Sequence, residues 1–306
     1  MTVKPEISVC IFSYNFGKYI EQAIASVLAQ KLSVPLEIVI GDDRSTDHST
    51  EIICKYQRLY PGLIRANINA ENIGGTRNWL QTINACRGKY IALLDGDDYF
   101  IDELKLQKQY DVLEQNGDCA LCFHGVRELY EDKRIGEDTD VRFEKNRYSA
   151  GEIMEKGWFI RTGSLFFRNG LLNRDLPAWV FKYPYRLDSI IPFFLCIHGD
   201  AFYIDEICSV YRRHMDGMSY QLAETQLSDA LTRIELTQDL SRFAAEQYSA
   251  QSKRRISGIY TQIFFSLMKS GAFLEHKALL LQSVLKMDYL EAVTTLKLKL
   301  IGTKKT

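Results

Sequence analysis

The sequence predicts an α/β protein: a mixed, mainly parallel sheet flanked by helices, with a helical region at its C-terminal end. Two observations carry the prediction. Strand-like apolar runs alternate with helix-period stretches four times over residues 7–95, with short connections, the pattern of parallel strands joined by crossover helices. From Gln221 onward glycine and proline almost vanish and apolar residues recur at helical spacing, as at Ile256, Ile259, Tyr260, Ile263 and Phe264. A chain of 306 residues can bury a full core. With 46% hydrophobic and 25% charged residues it has an ordinary globular balance.

In chain order, residues 7–12 (Ile-Ser-Val-Cys-Ile-Phe) form a central strand, and Ser13-Tyr14-Asn15-Phe16-Gly17 a polar turn. Ile20, Ala23, Ile24, Val27 and Leu28 make the apolar stripe of a helix. A second strand, 36–40, runs into Gly41-Asp42-Asp43-Arg44-Ser45-Thr46-Asp47. The next helix takes Asp47 or Ser49 as its N-cap and turns Ile52, Ile53, Tyr56 and Leu59 inward. A third strand, 63–68, leads to a loop whose Gly74-Gly75 suits unusual backbone angles, and a helix over 76–86 follows. The strand at 90–94 then drives into Asp95-Gly96-Asp97-Asp98. A helix opens at Lys105, and residues 119–220 mix loops and helices with strand-like runs at 119–124, 164–168, 201–204 and 209–212. The reading divides the chain into residues 1–220, with a break near 115 between two halves, and a helical region over 221–306.

The three acids at 95–98 focus the argument. Carboxylates this close repel one another unless protons or a cation relieve them, and oxygen ligands suit Mg²⁺ or Mn²⁺. Such ions keep open positions that commonly take substrate phosphates. The alternative is a solvated acidic turn. A helix-loop-helix calcium site is disfavoured because Phe100 stands where that loop needs glycine. Ligands of open α/β sheets bind at the carboxyl ends of strands, so Tyr14, Asp43 and Asp95–Asp98 should meet on one rim. Asp188 sits beside an otherwise apolar helix. Of the five histidines, His214 alone lies among charges after a strand. Cys119-x-x-Cys122 has metal-ligand spacing, yet it lies in an apolar strand without a second pair, and buried thiols are the preferred reading.

A formal net charge of −1 lacks the basic footprint of a nucleic-acid binder. Seven scattered cysteines point to a reducing compartment. The first apolar run is too short for a leader and no stretch could span a bilayer, so the expected location is cytoplasmic. Lys297, Lys299, Lys304 and Lys305 make a basic end, read either as a solvated tail or as a weak peripheral contact with the inner face of a membrane.

Taken together, the ordered motifs resemble the inverting, nucleotide-sugar-dependent glycosyltransferases of family 2, which have the GT-A fold. The resemblance covers residues 7 to about 219. It rests on Ser8-Val9-Cys10-Ile11-Phe12-Ser13-Tyr14-Asn15, Ser26-Val27-Leu28-Ala29-Gln30, the stretch 37–47, and Asn72-Ile73-Gly74. It continues through 88–98, Leu104-Lys105-Leu106-Gln107-Lys108-Gln109 and Tyr211-Arg212-Arg213-His214. Asp102 and Glu103 stand where the family often has a proline. The resemblance implies that Tyr14 flanks the nucleobase, Asp43 accepts from a base N–H, Asp95 binds the ribose, and Asp97 ligates a Mn²⁺ or Mg²⁺ bridging the diphosphate. It implies that His214, with Arg213, meets the leaving diphosphate or its metal, and that Asp188 is the general base, with Asp175 the next acid to test. The donor would be a nucleotide sugar, with UDP the family's commonest nucleotide. The acceptor would be a saccharide or lipid-linked, in surface polysaccharide assembly. Two other readings compete: a sugar-phosphate nucleotidyltransferase, which would want a glycine-rich basic loop near the N-terminus, and a binding module that has lost its chemistry. A dinucleotide oxidoreductase fails because residues 12–17 contain no Gly-x-Gly-x-x-Gly.

Overall fold

The computed structural model describes residues 4–131, 143, 145–172, 176–184, 186–215, 226–270 and 276–287. Among these, the strands are β1 (Ile7–Ser13), β2 (Leu36–Asp42), β3 (Ile64–Ile68), β4 (Tyr90–Asp95), β5 (Tyr99–Phe100), β6 (Cys119–Tyr130), β7 (Arg147–Tyr148), β8 (Phe166–Arg168) and β9 (Asp200–Arg213). They form one sheet in the order β3-β2-β1-β4-β8-β6-β9-β5, with β7 paired to β9. β1, β2, β3 and β4 are parallel neighbours, as are β6 and β9, while β8, β5 and β7 pair antiparallel. The helices of this part are α1 (Ile20–Leu28), α2 (Ser49–Leu59), α3 (Gly75–Ala85), α4 (Lys105–Gln115), α5 (Ala150–Lys156) and α6 (Leu187–Cys196).

Local chemistry explains the parallel half. β1 is buried along its whole length and β4 up to Leu94, as apolar runs covered on both faces must be. α1 buries Ile20, Ala23, Ile24 and Val27 at helical spacing, and they join the strands in one core. Gly96 is required where β4 ends: a Cβ there would stand 2.8 Å from the Phe12 carbonyl, which already accepts the Gly96 N–H. Gly74 takes φ of 86° just before α3, a conformation that suits glycine.

Three expectations are corrected. The N-cap of α2 is His48, with no capping side chain; Asp47 Oδ1 instead accepts from the Ser49 N–H and hydroxyl. Leu59, in the last turn of α2, is 60% exposed rather than inward, and of the four residues only Ile53 is fully buried. The runs at 201–204 and 209–212 are one strand, β9, which follows β6 through register irregularities around Gly125.

Lys105 opens α4 fully buried, with Nζ 3.8 Å from the centre of the Phe100 ring and no hydrogen-bond partner among the described residues. Burial pulls its amine down to about 7, against a small opposing pull from Cys208 and Cys122.

The chain divides into two compact units, residues 1–153 with 158–217, and residues 154–157 with 218–306. The second contains α7 (Gln226–Phe243), α8 (Ser249–Ser270) and α9 (Lys277–Lys286). Its core joins Ala230 and Ile234 to Ile259, Tyr260, Ile263 and Leu267, so the helical spacing at 256–264 does mark a packed face. The four C-terminal lysines lie outside the described residues.

Candidate active site

The loops after β1 and β2 are laced together by side chains. Asn15, at φ 58°, accepts the Thr46 N–H at 2.7 Å and gives its own N–H to Ser45 Oγ. Asp42 accepts from the Ser45 N–H and hydroxyl and from Thr50 Oγ1. Asp43 is 2% exposed and accepts three bonds, from Asn69 Nδ2 at 3.0 Å, Ile73 N–H at 2.8 Å and Gly74 N–H at 2.9 Å. It therefore fastens the loop leading into α3. Tyr14, beside this lacing, is 44% exposed.

The acids at the end of β4 are treated differently. Asp97 Oδ2 lies 3.0 Å from His214 Nε2, while His214 Nδ1 is buried with no hydrogen-bond partner among the described residues. Tyr19 packs against the imidazole, with ring centres 4.9 Å apart. Asp98 Oδ1 accepts the Arg212 backbone N–H at 2.7 Å. Burial first, then the charges of Asp97 and Asp95, push the Asp98 carboxyl well above the usual carboxylate range, against the pull of Arg212. Burial likewise lifts Asp95 well above that range, and Asp97 and Asp188 add to the rise while a hydrogen bond from the Thr162 side chain opposes it. Asp95 thus feels the charges of both Asp97 and Asp188.

Asp188 sits in the first turn of α6, whose N-cap is Arg186. Burial raises its carboxyl to about 6, against the charges of Arg186 and Arg161 and bonds from Ser189. Its neighbourhood holds a cationic cluster: Glu128 takes Arg213 Nε at 2.9 Å and Nη2 at 2.8 Å, and Arg161 Nη2 at 3.3 Å.

The structure thus gathers Asp95, Asp97, His214 and Asp188 around the ends of β4 and β9. Arg213 is gripped by Glu128, and the arginine set against the acids is Arg212: its Nε donates to the Asp97 carbonyl at 2.8 Å and its Nη2 to Gln22 Oε1. Arg161, Thr162 and Glu128 also belong to this neighbourhood and were not singled out from the sequence. Asp175 and Tyr185 lie outside the described residues, as do Asp216 and Gly217.

The residues fit a divalent ion. A separation of 3.0 Å between a carboxylate oxygen and an imidazole nitrogen matches adjacent ligands of an ion with bonds of about 2.1 Å, leaving positions for phosphate oxygens and water. Elsewhere, Asp102, Glu206 and Cys208 have ligand atoms close together, but the Lys108 ammonium already bridges the two carboxylates. Cys119 and Cys122 are buried thiols, the latter pushed far up by burial. His124 bonds the Gly125 carbonyl and is pulled down to about 3, chiefly by burial. That is a structural histidine.

These features define the class of protein: a mixed α/β sheet with a ligand rim of carboxylates at its strand ends. The sequence model of Glycosyl transferase family 2 matches residues 8–174, more than half of the chain, and the protein belongs to that family. The uncharacterized protein Rv1520 of Mycobacterium tuberculosis is 34% identical over 212 residues, which cover 69% of this chain and 60% of that relative's length. Bacillus subtilis TuaG, named for a glycosyltransferase of teichuronic acid biosynthesis, is 35% identical over 130 residues, 42% of this chain and 50% of TuaG. The chain therefore spans less than two thirds of these relatives. Among solved structures, S. aureus TarS (residues 1–349) in complex with UDP matches with a TM-score of 0.63 at 16% identity, over 88% of this chain and 74% of that one. The mannosyltransferase PcManGT of Pyrobaculum calidifontis, in complex with GDP-Man and Mn²⁺, matches with a TM-score of 0.58 at 13% identity, over 98% of this chain and 81% of that one. At these identities the likeness is one of fold, and the fold is of the GT-A type.

Proposed function

We propose that the protein is a metal-dependent, inverting glycosyltransferase. It moves a sugar from a nucleotide sugar, with UDP as the nucleotide, to a saccharide or lipid-linked acceptor in surface polysaccharide biosynthesis. One observation carries this reading: a half-buried carboxylate at about 6, Asp188, lies within electrostatic reach of Asp95, on the rim that also holds the Asp97–His214 pair. Direct displacement at an anomeric carbon needs a base for the attacking hydroxyl and stabilisation for the departing diphosphate. Asp188, ionised at neutral pH yet more basic than an ordinary carboxylate, takes the acceptor proton. Asp97 and His214 hold the ion, which supplies Lewis-acid stabilisation of the leaving diphosphate when bound. Arg212 fixes the loop that carries Asp97 and Asp98. Tyr14 flanks the base, Asp43 accepts its N–H beside the loop it fastens, and Asp95 binds the ribose. His214 faces the leaving group, and Arg213 is held away from it by Glu128.

Membership of the family, TuaG's name, and the UDP and GDP-Man with Mn²⁺ in the two structures support this assignment. The proposed location is cytoplasmic, with a weak peripheral contact through the basic C-terminal lysines. No described helix is long and apolar enough to cross a membrane. The test incubates the full chain with UDP-sugars and GDP-mannose, with Mn²⁺, Mg²⁺ or chelator. Metal-dependent release of nucleoside diphosphate is expected, with inversion at the anomeric carbon of any transfer product. Neither release nor metal-dependent nucleotide binding, across all donors, would sink the reading.

A further inference from the structure

Around Arg161, whose charge reaches Asp188, two buried hydrogen-bond donors find no acceptor among the described residues. Arg161 Nη1 and Trp158 Nε1 are both inaccessible and have no hydrogen-bond partner among the described residues. They belong to one stack: the Arg161 guanidinium carbon lies 3.9 Å from the centre of the Trp158 ring and 5.2 Å from that of Tyr211. The guanidinium is held from its other end by Glu128, which also takes both donors of Arg213. Two arginines thus share Glu128, and Asp188 is a second carboxylate within reach of the Arg161 charge. The backbone is fixed as well, because the Arg161 carbonyl accepts both the N–H and the hydroxyl of Ser164. A buried donor left unpaired is costly, and more so when charged. Two such donors in one stack are suited to an oxyanion, which accepts from a guanidinium and an indole N–H together.

We propose that Trp158 and Arg161 form an oxyanion subsite on the acceptor side, which takes the carboxylate or phosphate of an acidic acceptor sugar. The proposal rests on the transferase reading for the word acceptor, and on the two unmet donors for the site itself. An anion held here places an acidic sugar beside Asp188. A neutral hydroxyl makes a weaker bond to a guanidinium than an oxyanion does, so the subsite favours acidic acceptors.

The indole N–H of Trp158 is a built-in reporter. In protein labelled with ¹⁵N at its three tryptophans, the Trp158 signal is assigned by its absence in Trp158→Phe. It is then followed during titration of the full chain with D-glucuronate, D-glucose 6-phosphate and D-glucose. The expected result is a saturable shift with at least one anion at millimolar concentration and none with glucose. Glucuronate and the phosphate ester separate the two sources of the oxyanion. Arg161→Gln should weaken that binding at least tenfold, and Arg161→Lys, which keeps the charge without the fork, should fall between the two. Absence of a saturable shift with either anion up to tens of millimolar overturns the proposal. So does an equal response to glucose, or a response that Arg161→Gln leaves unchanged. UDP binding with Mn²⁺ is measured on the same samples. Its absence in the parent protein counts against the transferase reading, while the Trp158 titration still decides the subsite.

Discussion

The acids at the end of β2 and those at the end of β4 lie on the same rim but receive opposite treatment. Asp42 and Asp43 are given three hydrogen bonds each, from backbone N–H groups, hydroxyls and an amide. Asp98 is buried and Asp95 half-buried, each with few donors; both stand well above the ordinary carboxylate range, and Asp188 is lifted to about 6. A carboxylate supplied with donors holds a loop in place. One deprived of them stores unfavourable electrostatic energy that a cation or a transferred proton can release. The same residue type therefore serves as a fastener at one strand end and is proposed as a reactive group at the other, and the number of donors around it makes the difference.

This contrast can be tested by removing acids on each side. The largest effect is expected at Asp188. Asp188→Asn removes the base and should lower kcat by roughly 10²–10⁴-fold with donor affinity nearly unchanged; steady-state transfer kinetics with nucleotide binding measured alongside would show it. Near-parental kcat would take Asp188 out of the mechanism. At Asp43 the cost should fall on stability: Asp43→Ala strands three donors and should lose about 3 kcal/mol in denaturant unfolding. A proportionate weakening of nucleotide binding would add the proposed contact to the base. Asp97→Ala should do the reverse, leaving the melting temperature intact while abolishing the Mn²⁺-dependent stabilisation by UDP. That stabilisation is about 2.7 kcal/mol at ~100 times the dissociation constant.

A smaller effect separates the two groups by pH. The folded Asp188 carboxyl, at about 6, lies above its ordinary 3.8, so the native state is penalised progressively as pH rises across that window. At pH 7 Asp188→Asn should therefore be the more stable protein, by roughly 1–3 kcal/mol, with the difference gone below pH 4. Activity of the parent should move the opposite way, falling as pH drops through about 6 and the base is protonated. Melting curves of both proteins at several pH values, set beside a kcat/KM profile, test the two together.

Much of the rim could be read from the sequence because it is local. The run at 90–94 followed by Asp95, Asp97 and Asp98, and the pair Asp42-Asp43 after residues 36–40, each combine an apolar strand with acids no more than four residues beyond. Partners brought in by the sheet order could not be read that way. Glu128 meets Arg213 because β6 runs beside β9 across register irregularities that no spacing announces. Arg161 and Thr162 arrive through β8, which inserts between β4 and β6 far from its neighbours in sequence. One signal was available and went unused. Alternate residues of a strand face opposite sides, so Arg212 and His214 share the acids' side of β9 while Tyr211 and Arg213 face Glu128 and Arg161. That parity separates Arg212 from Arg213.

Lys105 turns the folding of this protein into a proton-releasing reaction. In the unfolded chain its amine holds a proton up to pH 10.5, but in the folded chain only up to about 7. Between those values folding expels the Lys105 proton, so its contribution to stability should climb with pH across the window and level off above it. The heat of unfolding measured near pH 7.5, below the range in which the thiols of the unfolded chain ionise, should then depend on the buffer. The proton taken up on unfolding is drawn from the buffer, and amine and phosphate buffers release theirs with very different heats. Lys105→Met should sharply reduce that dependence, making one buried side chain visible in a calorimeter through the solvent it exchanges with.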